Sequence, residues 1–209
     1  MSLFKKTYET TICNNLLNTL STDDRCYILE CVGRGTLDYL NKNTKYHIAY
    51  STQKYYPVDG LVMTYENGKV IHKAIIEIKT FYNVDQYRSS NKYQNLKYRI
   101  DAKKLTDIEA EARKYNCRPI LIAFFSNEMV VWDLDKTDWY HSIREEESND
   151  LGVEYGKSKS KGLQAYLPLC DAIYRDKDVN IDLYYKEIHK NIFGPKKSKP
   201  ITEDEDLPF

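Results

Sequence analysis

Apolar residues at Ile12, Leu16, Leu17 and Leu20 recur at helical spacing and predict a first helix over Lys5–Leu20. Ser21-Thr22-Asp23-Asp24 then reads as an N-cap with early carboxylates, opening a second helix through Leu29, Val32 and Leu40. Gly33 and Gly35 weaken its middle, because glycine gives up more backbone freedom in a helix than other residues do. After Leu40 the period changes. A short strand over His47–Ser51 precedes a stronger pair, Val58–Tyr65 and Val70–Phe81, folded around Glu66-Asn67-Gly68-Lys69; Asn-Gly suits the positive φ angles of a tight hairpin. From Asp85 to Asn116, Leu96, Ile100, Leu105, Ile108 and Ala112 fall at helical intervals and predict the longest helix, closed before Arg118-Pro119. Pro119–Phe125 and Met129–Leu134 are apolar runs of strand type, with Ser126-Asn127-Glu128 as the turn between them. The order of helix, strands, helix and strands predicts an α/β sandwich. Beyond Trp139 the pattern weakens. Glu145–Gly162 is expected to be a solvated loop, Val179–Phe193 a closing helix, and residues 194–209 a flexible linker ending in an acidic tail, leaving residues 1–193 as a single domain.

Composition narrows the function classes. A chain of 209 residues can bury one good-sized core. Its 31 basic and 31 acidic residues cancel, so no overall field draws it to nucleic acid or an anionic membrane, and any such attraction must be local. Basic residues outnumber acidic ones between Lys42 and Arg118, a range that includes the hairpin. Cys13, Cys26, Cys31, Cys117 and Cys170 are odd in number and lack CxxC spacing, which argues against a zinc cluster or a disulfide framework and for a reducing, cytoplasmic setting. No run of about 18 apolar residues occurs, so no membrane span is expected. The 19 tyrosines suit amphipathic packing or stacking on bases. His47, His72, His141 and His189 are dispersed, without HxH or HExxH spacing, and Gly33-Arg34-Gly35 lacks the frame of a phosphate-binding loop.

The hairpin poses the chemical question. Glu77 and Lys79 lie on one face of its second strand, with Ile78 between them on the other. Both faces of that strand are otherwise fairly apolar, as in a strand covered on two sides, where charges are costly unless paired or bound to metal. Asp59 joins them only if the turn is a bulged one. A two-residue Asn67-Gly68 loop sets Asp59 against Ile76 and splits the carboxylates between faces; a three-residue loop Glu66-Asn67-Gly68, with Gly68 as a bulge, sets Asp59 against Ile75 and reunites them. In the second register Asp59 and Glu77 offer two hard oxygen ligands suited to Mg²⁺ or Mn²⁺, with the carbonyl of Ile78 facing the same region and Lys79 placed to orient water or stabilise charge. A cross-strand ion-pair set on a wet sheet face is the other reading of the same residues.

Pro57-Val58-Asp59 followed by Glu77-Ile78-Lys79, with a hairpin between and a helix and an apolar strand after, resembles the core of the PD-(D/E)xK nuclease superfamily over roughly Asp23–Leu134. The resemblance implies a restriction-endonuclease-like α/β fold with a mixed sheet flanked by helices, and Mg²⁺- or Mn²⁺-dependent hydrolysis of DNA. It assigns metal binding to Asp59, Glu77 and Ile78, and catalysis to Lys79. A further carboxylate on the preceding helix is implied, for which Glu30 fits better by its distance ahead of Asp59 than Glu9. The helix after Lys79 is implied to carry polar residues toward the phosphate, with Gln94 and Lys97 three apart on one helical face and Arg99 and Lys103 as further basic positions.

The last residues resemble the acidic tip of bacterial single-stranded DNA-binding proteins: Asp204 and Asp206 match its acidic run, Pro208 and Phe209 its end, and Leu207 an apolar position between. Such a tip implies capture of the terminal Phe by a replication or repair partner. Together the two resemblances imply a nuclease of replication, recombination or repair in bacterial or phage-infected cytoplasm, acting on DNA of undetermined form, with a homodimer allowed. The alternative is a non-catalytic single-stranded DNA-binding protein that recruits partners through its tip.

Overall fold

The computed structural model describes residues 22–53, 56–80, 88–89, 97–125, 128–147, 161–179 and 181. The chain enters as helix α1, Thr22–Asn41, and continues into strands β1, Tyr46–Tyr50, β2, Gly60–Glu66, and β3, Lys69–Thr80. Two short strands follow, β4, Arg88–Ser89, and β5, Lys97–Asp101, then helix α2, Ala102–Lys114. The remainder is β6, Arg118–Phe125, β7, Glu128–Asp133, β8, Arg144–Glu147, β9, Lys161–Pro168, and β10, Tyr174–Asp176. Six strands form a sheet in the order β1-β2-β3-β6-β7-β10, and four form a second sheet in the order β4-β5-β9-β8. The large sheet is mixed: β3 and β6 run parallel, and its other neighbours are antiparallel. A parallel pair needs a long crossover, and the chain between β3 and β6 supplies it with α2.

The α/β class and the mixed sheet flanked by helices match the sequence reading. Each face of the large sheet carries its own core. On one, Ile28 and Val32 of α1 pack with Ile76, Ile78, Ile122 and Phe124; on the other, Leu105, Ile108 and Ala112 of α2 pack with Ile75, Leu121, Ala123 and Trp132, joined by Tyr98, Ile100, Ala165 and Leu167 of the second sheet. β6 is covered on both sides and reads as a nearly continuous apolar run, whereas only the second half of β3, from Ile75 on, is buried on both faces. Among the described residues no helix is long and apolar enough to cross a membrane.

Three expectations are corrected. Asp85–Asn116 is not one helix: Lys97–Asp101 pairs with β9, and α2 starts only at Ala102, where the Asp101 side chain accepts the Lys103 N–H at 2.9 Å. Tyr98 and Ile100 fit either period in isolation, and pairing with Leu167 and Ala165 decided for strand. The expected loop over Glu145–Gly162 is bounded by β8 and β9, which pair with each other. Finally, α1 runs unbroken through Gly33 and Gly35, for a packing reason. An added Cβ at Gly33 would stand 2.4 Å from Thr80 Oγ1 and 2.7 Å from Ile78 Cγ2, so glycine is what allows α1 to lie so close to β3. The predicted helices over Lys5–Leu20 and Val179–Phe193 and the tail lie wholly or almost wholly outside the described residues; Val179 and Ile181 are described, and both are buried.

Candidate active site

The register of the hairpin determines which side chains meet. Asn67 and Gly68 both take positive φ, 50° and 74°, and Glu66 pairs directly with Lys69. The turn is therefore the two-residue kind, not the three-residue loop that the clustering of carboxylates had required. The shift occurs farther on. Tyr65 pairs with Val70 but Thr64 pairs with His72, so Ile71 is the extra residue of a bulge, and pairing continues to Gly60 opposite Ile76. Asp59 lies one residue ahead of that last pair, and its N–H bonds the Ile76 carbonyl instead of forming a further ladder pair. The predicted pairing of Asp59 with Ile75 is not found, since Ile75 pairs with Leu61; the Asp59 carboxylate instead reaches the end of β3 by accepting the Ile78 N–H.

Asp59 lies just ahead of β2. Its amide donates to the Ile76 carbonyl at 2.9 Å, and its Oδ2 accepts the Ile78 N–H at 2.7 Å. In a strand the N–H and C=O of one residue point to the same side, so the Ile78 carbonyl is directed toward the same edge, past the start of β2. Glu77 is 2% exposed. Its Oε1 receives Lys79 Nζ at 2.6 Å and Lys104 Nζ at 2.9 Å, while its Oε2 is buried without a hydrogen-bond partner. Lys104 also donates to the Pro57 carbonyl at 2.8 Å and so ties α2 to the segment that carries Asp59.

Electrostatics follow from this geometry. Burial pushes the Glu77 carboxyl above the usual carboxylate range and Asp59 adds to the push, against the pull of Lys79 and Lys104. Burial also works against the Lys79 ammonium, but the adjoining Glu77 carboxylate outweighs it and holds Lys79 above the ordinary lysine value. Burial of Glu77 argues against the wet-face reading of this pair. A buried carboxylate with one lone oxygen is a costly arrangement for a structural ion pair, and an oxygen-seeking cation would complete it.

Arg34 of α1 approaches Asp59 from the other side. Its Nη2 lies 2.6 Å from Glu30 Oε1 and 3.3 Å from Asp59 Oδ1, and Nη1 donates to the Ser51 carbonyl at 3.3 Å. Glu30 is thus linked to Asp59 through Arg34. Among the described residues no three His, Cys, Asp or Glu side chains gather closely enough to surround a metal ion. Asp59 and Glu77 still fit a hard dication: they are oxygen donors, one oxygen of Glu77 is orphaned, and carbonyl, water and phosphate oxygens would fill the other positions.

The structure separates the expected nucleic-acid contacts. Lys97 and Arg99 belong to β5 of the second sheet, and Lys103, although on α2, is exposed and paired with Asp107 at 2.6 Å. Glu9, Gln94, Asp204, Asp206, Leu207, Pro208 and Phe209 lie outside the described residues. Lys104 was missed. Its sequence signal was weak, one of two adjacent lysines at the start of a helix whose start had been misplaced; once Asp101 is taken as the N-cap, Lys104 falls in the first turn of α2. Lys104→Ala is expected to lower any phosphodiester cleavage by about 10- to 100-fold, less than substitution of Lys79, when single-turnover rates are compared.

No protein-family model matches the chain, and no curated protein matches it. Among solved structures, it is similar to Hjc, a Holliday junction resolvase from the archaeon Archaeoglobus fulgidus, with a TM-score of 0.35 and 11% identity over 51% of this chain and 78% of that one.

Proposed function

We propose that this protein is a Mg²⁺- or Mn²⁺-dependent nuclease that hydrolyses DNA phosphodiester bonds, with the site built on Asp59, Glu77, Ile78 and Lys79. The observation that carries this reading is the buried Glu77 carboxylate, held by two lysines on one oxygen and left without a partner on the other. A dication bound there supplies a Lewis acid and a water of lowered pKa. The chain's own residues do the rest. Asp59 and Glu77 would hold the ion, and the Ile78 N–H fixes the Asp59 carboxylate by bonding Oδ2. Lys79, tied to Glu77 and partly open to solvent, is placed to orient the attacking water and to offset charge developing on the phosphate. Lys104 holds Glu77 and the Pro57 carbonyl in fixed relation. Glu30 supports Asp59 through Arg34. Lys97 and Arg99 on β5, Lys103 on α2 and Gln94 are proposed contacts to flanking phosphates, and the Asp204–Phe209 tail a handle for a replication or repair partner.

The order of the described strands, a mixed sheet and a second small sheet, favours the nuclease reading over a single-stranded DNA-binding protein built on a five-stranded barrel. Cleavage of labelled single-stranded, duplex and branched DNA, with Mg²⁺ or Mn²⁺ and with chelator, tests the proposal. Cutting of at least one form only with metal supports it; binding without cutting under every metal condition removes it. The ion should also be visible without turnover. At a hundred times its dissociation constant, Mg²⁺ stabilises the fold by about 2.7 kcal/mol, which melting curves read as a rise of roughly 5–10 °C for a chain of this size. Glu77→Gln should abolish that rise.

A further inference from the structure

Beside the site lies a cleft that the hydrolytic chemistry does not use. It has a volume of about 470 Å³, and Tyr50, Gln53, Tyr56, Lys73, Tyr115 and Cys117 are among its lining residues. Its floor includes Ile75 and Leu61. Ile75 and Glu77 face the same side of β3 and are two residues apart, about 7 Å along a strand. Tyr56 at the cleft and Pro57 beside Lys104 are consecutive, so one short segment forms the partition between cleft and candidate active site.

Three features define what the cleft would take. Tyrosines supply its aromatic surface: the Tyr56 and Tyr115 hydroxyls lie 3.5 Å apart, Tyr56 also donates to Glu111 Oε2 at 3.2 Å, and Tyr115 remains 45% exposed. Lys73 is the one charged side chain among the described residues that line it and sets a positive charge at that edge, while Glu111 meets the Tyr56 hydroxyl. Lys73 Nζ donates to the Tyr115 carbonyl at 2.7 Å, which fixes the ammonium at the rim. An aromatic, hydrogen-bonding ligand with a negative charge at one end fits this combination, and a nucleotide of an unpaired strand has that chemistry. Bases stack on tyrosine whatever their sequence, and a lysine at the edge meets the phosphate.

We infer that this cleft holds an unpaired nucleotide next to the phosphate attacked at Glu77, so that the substrate strand is single-stranded or frayed on that side of the cut. This inference rests on the nuclease reading for its location, but it has its own readout. A single-stranded oligonucleotide carrying 2-aminopurine, mixed with the full-length protein in chelator, is expected to be quenched on binding. Tyr115→Ala and Tyr56→Ala should each weaken binding about tenfold and remove most of the quenching. Tyr115→Phe should retain both, which separates loss of stacking from loss of fold. Tyr174→Ala, an exposed tyrosine on the opposite edge strand, should bind as the native protein does. Mass-spectrometric alkylation should show Cys117, at the cleft, protected by the oligonucleotide. Unchanged affinity and quenching in both alanine variants would overturn the inference even if Glu77→Gln abolishes cleavage. If no cleavage is found but quenching is present and tyrosine-dependent, the nuclease reading falls while the cleft remains a nucleotide site.

Discussion

Glu77→Gln and Lys79→Ala are each expected to lower metal-dependent DNA cleavage by about a thousandfold or more, with DNA binding in chelator changed by less than about tenfold. Glutamine is the informative replacement at position 77. It keeps an oxygen that can accept from Lys79 and Lys104, which otherwise meet within 2.9 Å of one atom. Alanine would leave two ammonium groups around a cavity, and breaking a buried ion pair on one side costs roughly 3–5 kcal/mol. A dead Glu77→Ala protein could then simply be an unfolded one. Glu77→Gln is expected to stay folded, which its melting curve checks; the formal charge facing the ion then falls by one, and loss of cleavage reports on chemistry. Lys79 is the other half of the same test: when it is replaced, Lys104 still meets the Glu77 carboxylate, so one cation remains beside the buried charge. A folded Glu77→Gln protein that cuts at the native rate would remove the hairpin from the mechanism altogether.

Much of this arrangement was readable from residue order because strands have a period of two. Glu77 and Lys79 must share a face whatever surrounds them, and the apolar residues on either side announced that the strand would be covered. The two large strands after Asn116 were equally plain, since continuous apolar runs leave few alternatives. What failed depended on distant partners. No local feature distinguishes a bulge at Gly68 from one at Ile71; the actual choice rests on how β2 lies between β1 and β3, and on Asp59 bonding Ile78 across the end of the hairpin. The strand over Lys97–Asp101 likewise exists through pairing with β9, which lies more than sixty residues later in the chain. Misplacing the start of α2 then hid Lys104. An error in an element boundary became an error in the site, because a helix turns by about 100° per residue and adjacent lysines face different neighbours. Lys103 meets solvent and Asp107; Lys104 meets Glu77.

Gly33 shows the same dependence in energetic form, and its substitution should be the most damaging single-methyl change near the site. Read locally, glycine in mid-helix is a weakness, and alanine there should stabilise α1 by about 1 kcal/mol. The packing reverses that sign. A Cβ placed 2.4 Å from Thr80 Oγ1 and 2.7 Å from Ile78 Cγ2 forces α1 and β3 apart, and overpacking of this kind costs about 1–3 kcal/mol. Gly33→Ala is therefore expected to lower the melting temperature by about 2–4 °C in a chain of this length, as a net loss of about 1 kcal/mol implies. The effect should not stop at stability. Ile78 donates its N–H to Asp59, and Arg34, the next residue after Gly33, lies against Asp59 from the helix, so displacement of α1 shifts both groups that fix this carboxylate. Misplacing a catalytic group by about 1 Å costs on the order of a hundredfold. Cleavage measured well below the melting temperature should accordingly fall in Gly33→Ala, whereas an alanine at Gly162, whose Cβ meets nothing closer than 3.6 Å, should leave it unchanged. A Gly33→Ala protein that melts and cuts like the native one would mean that the close contact of α1 with β3 does not hold the site.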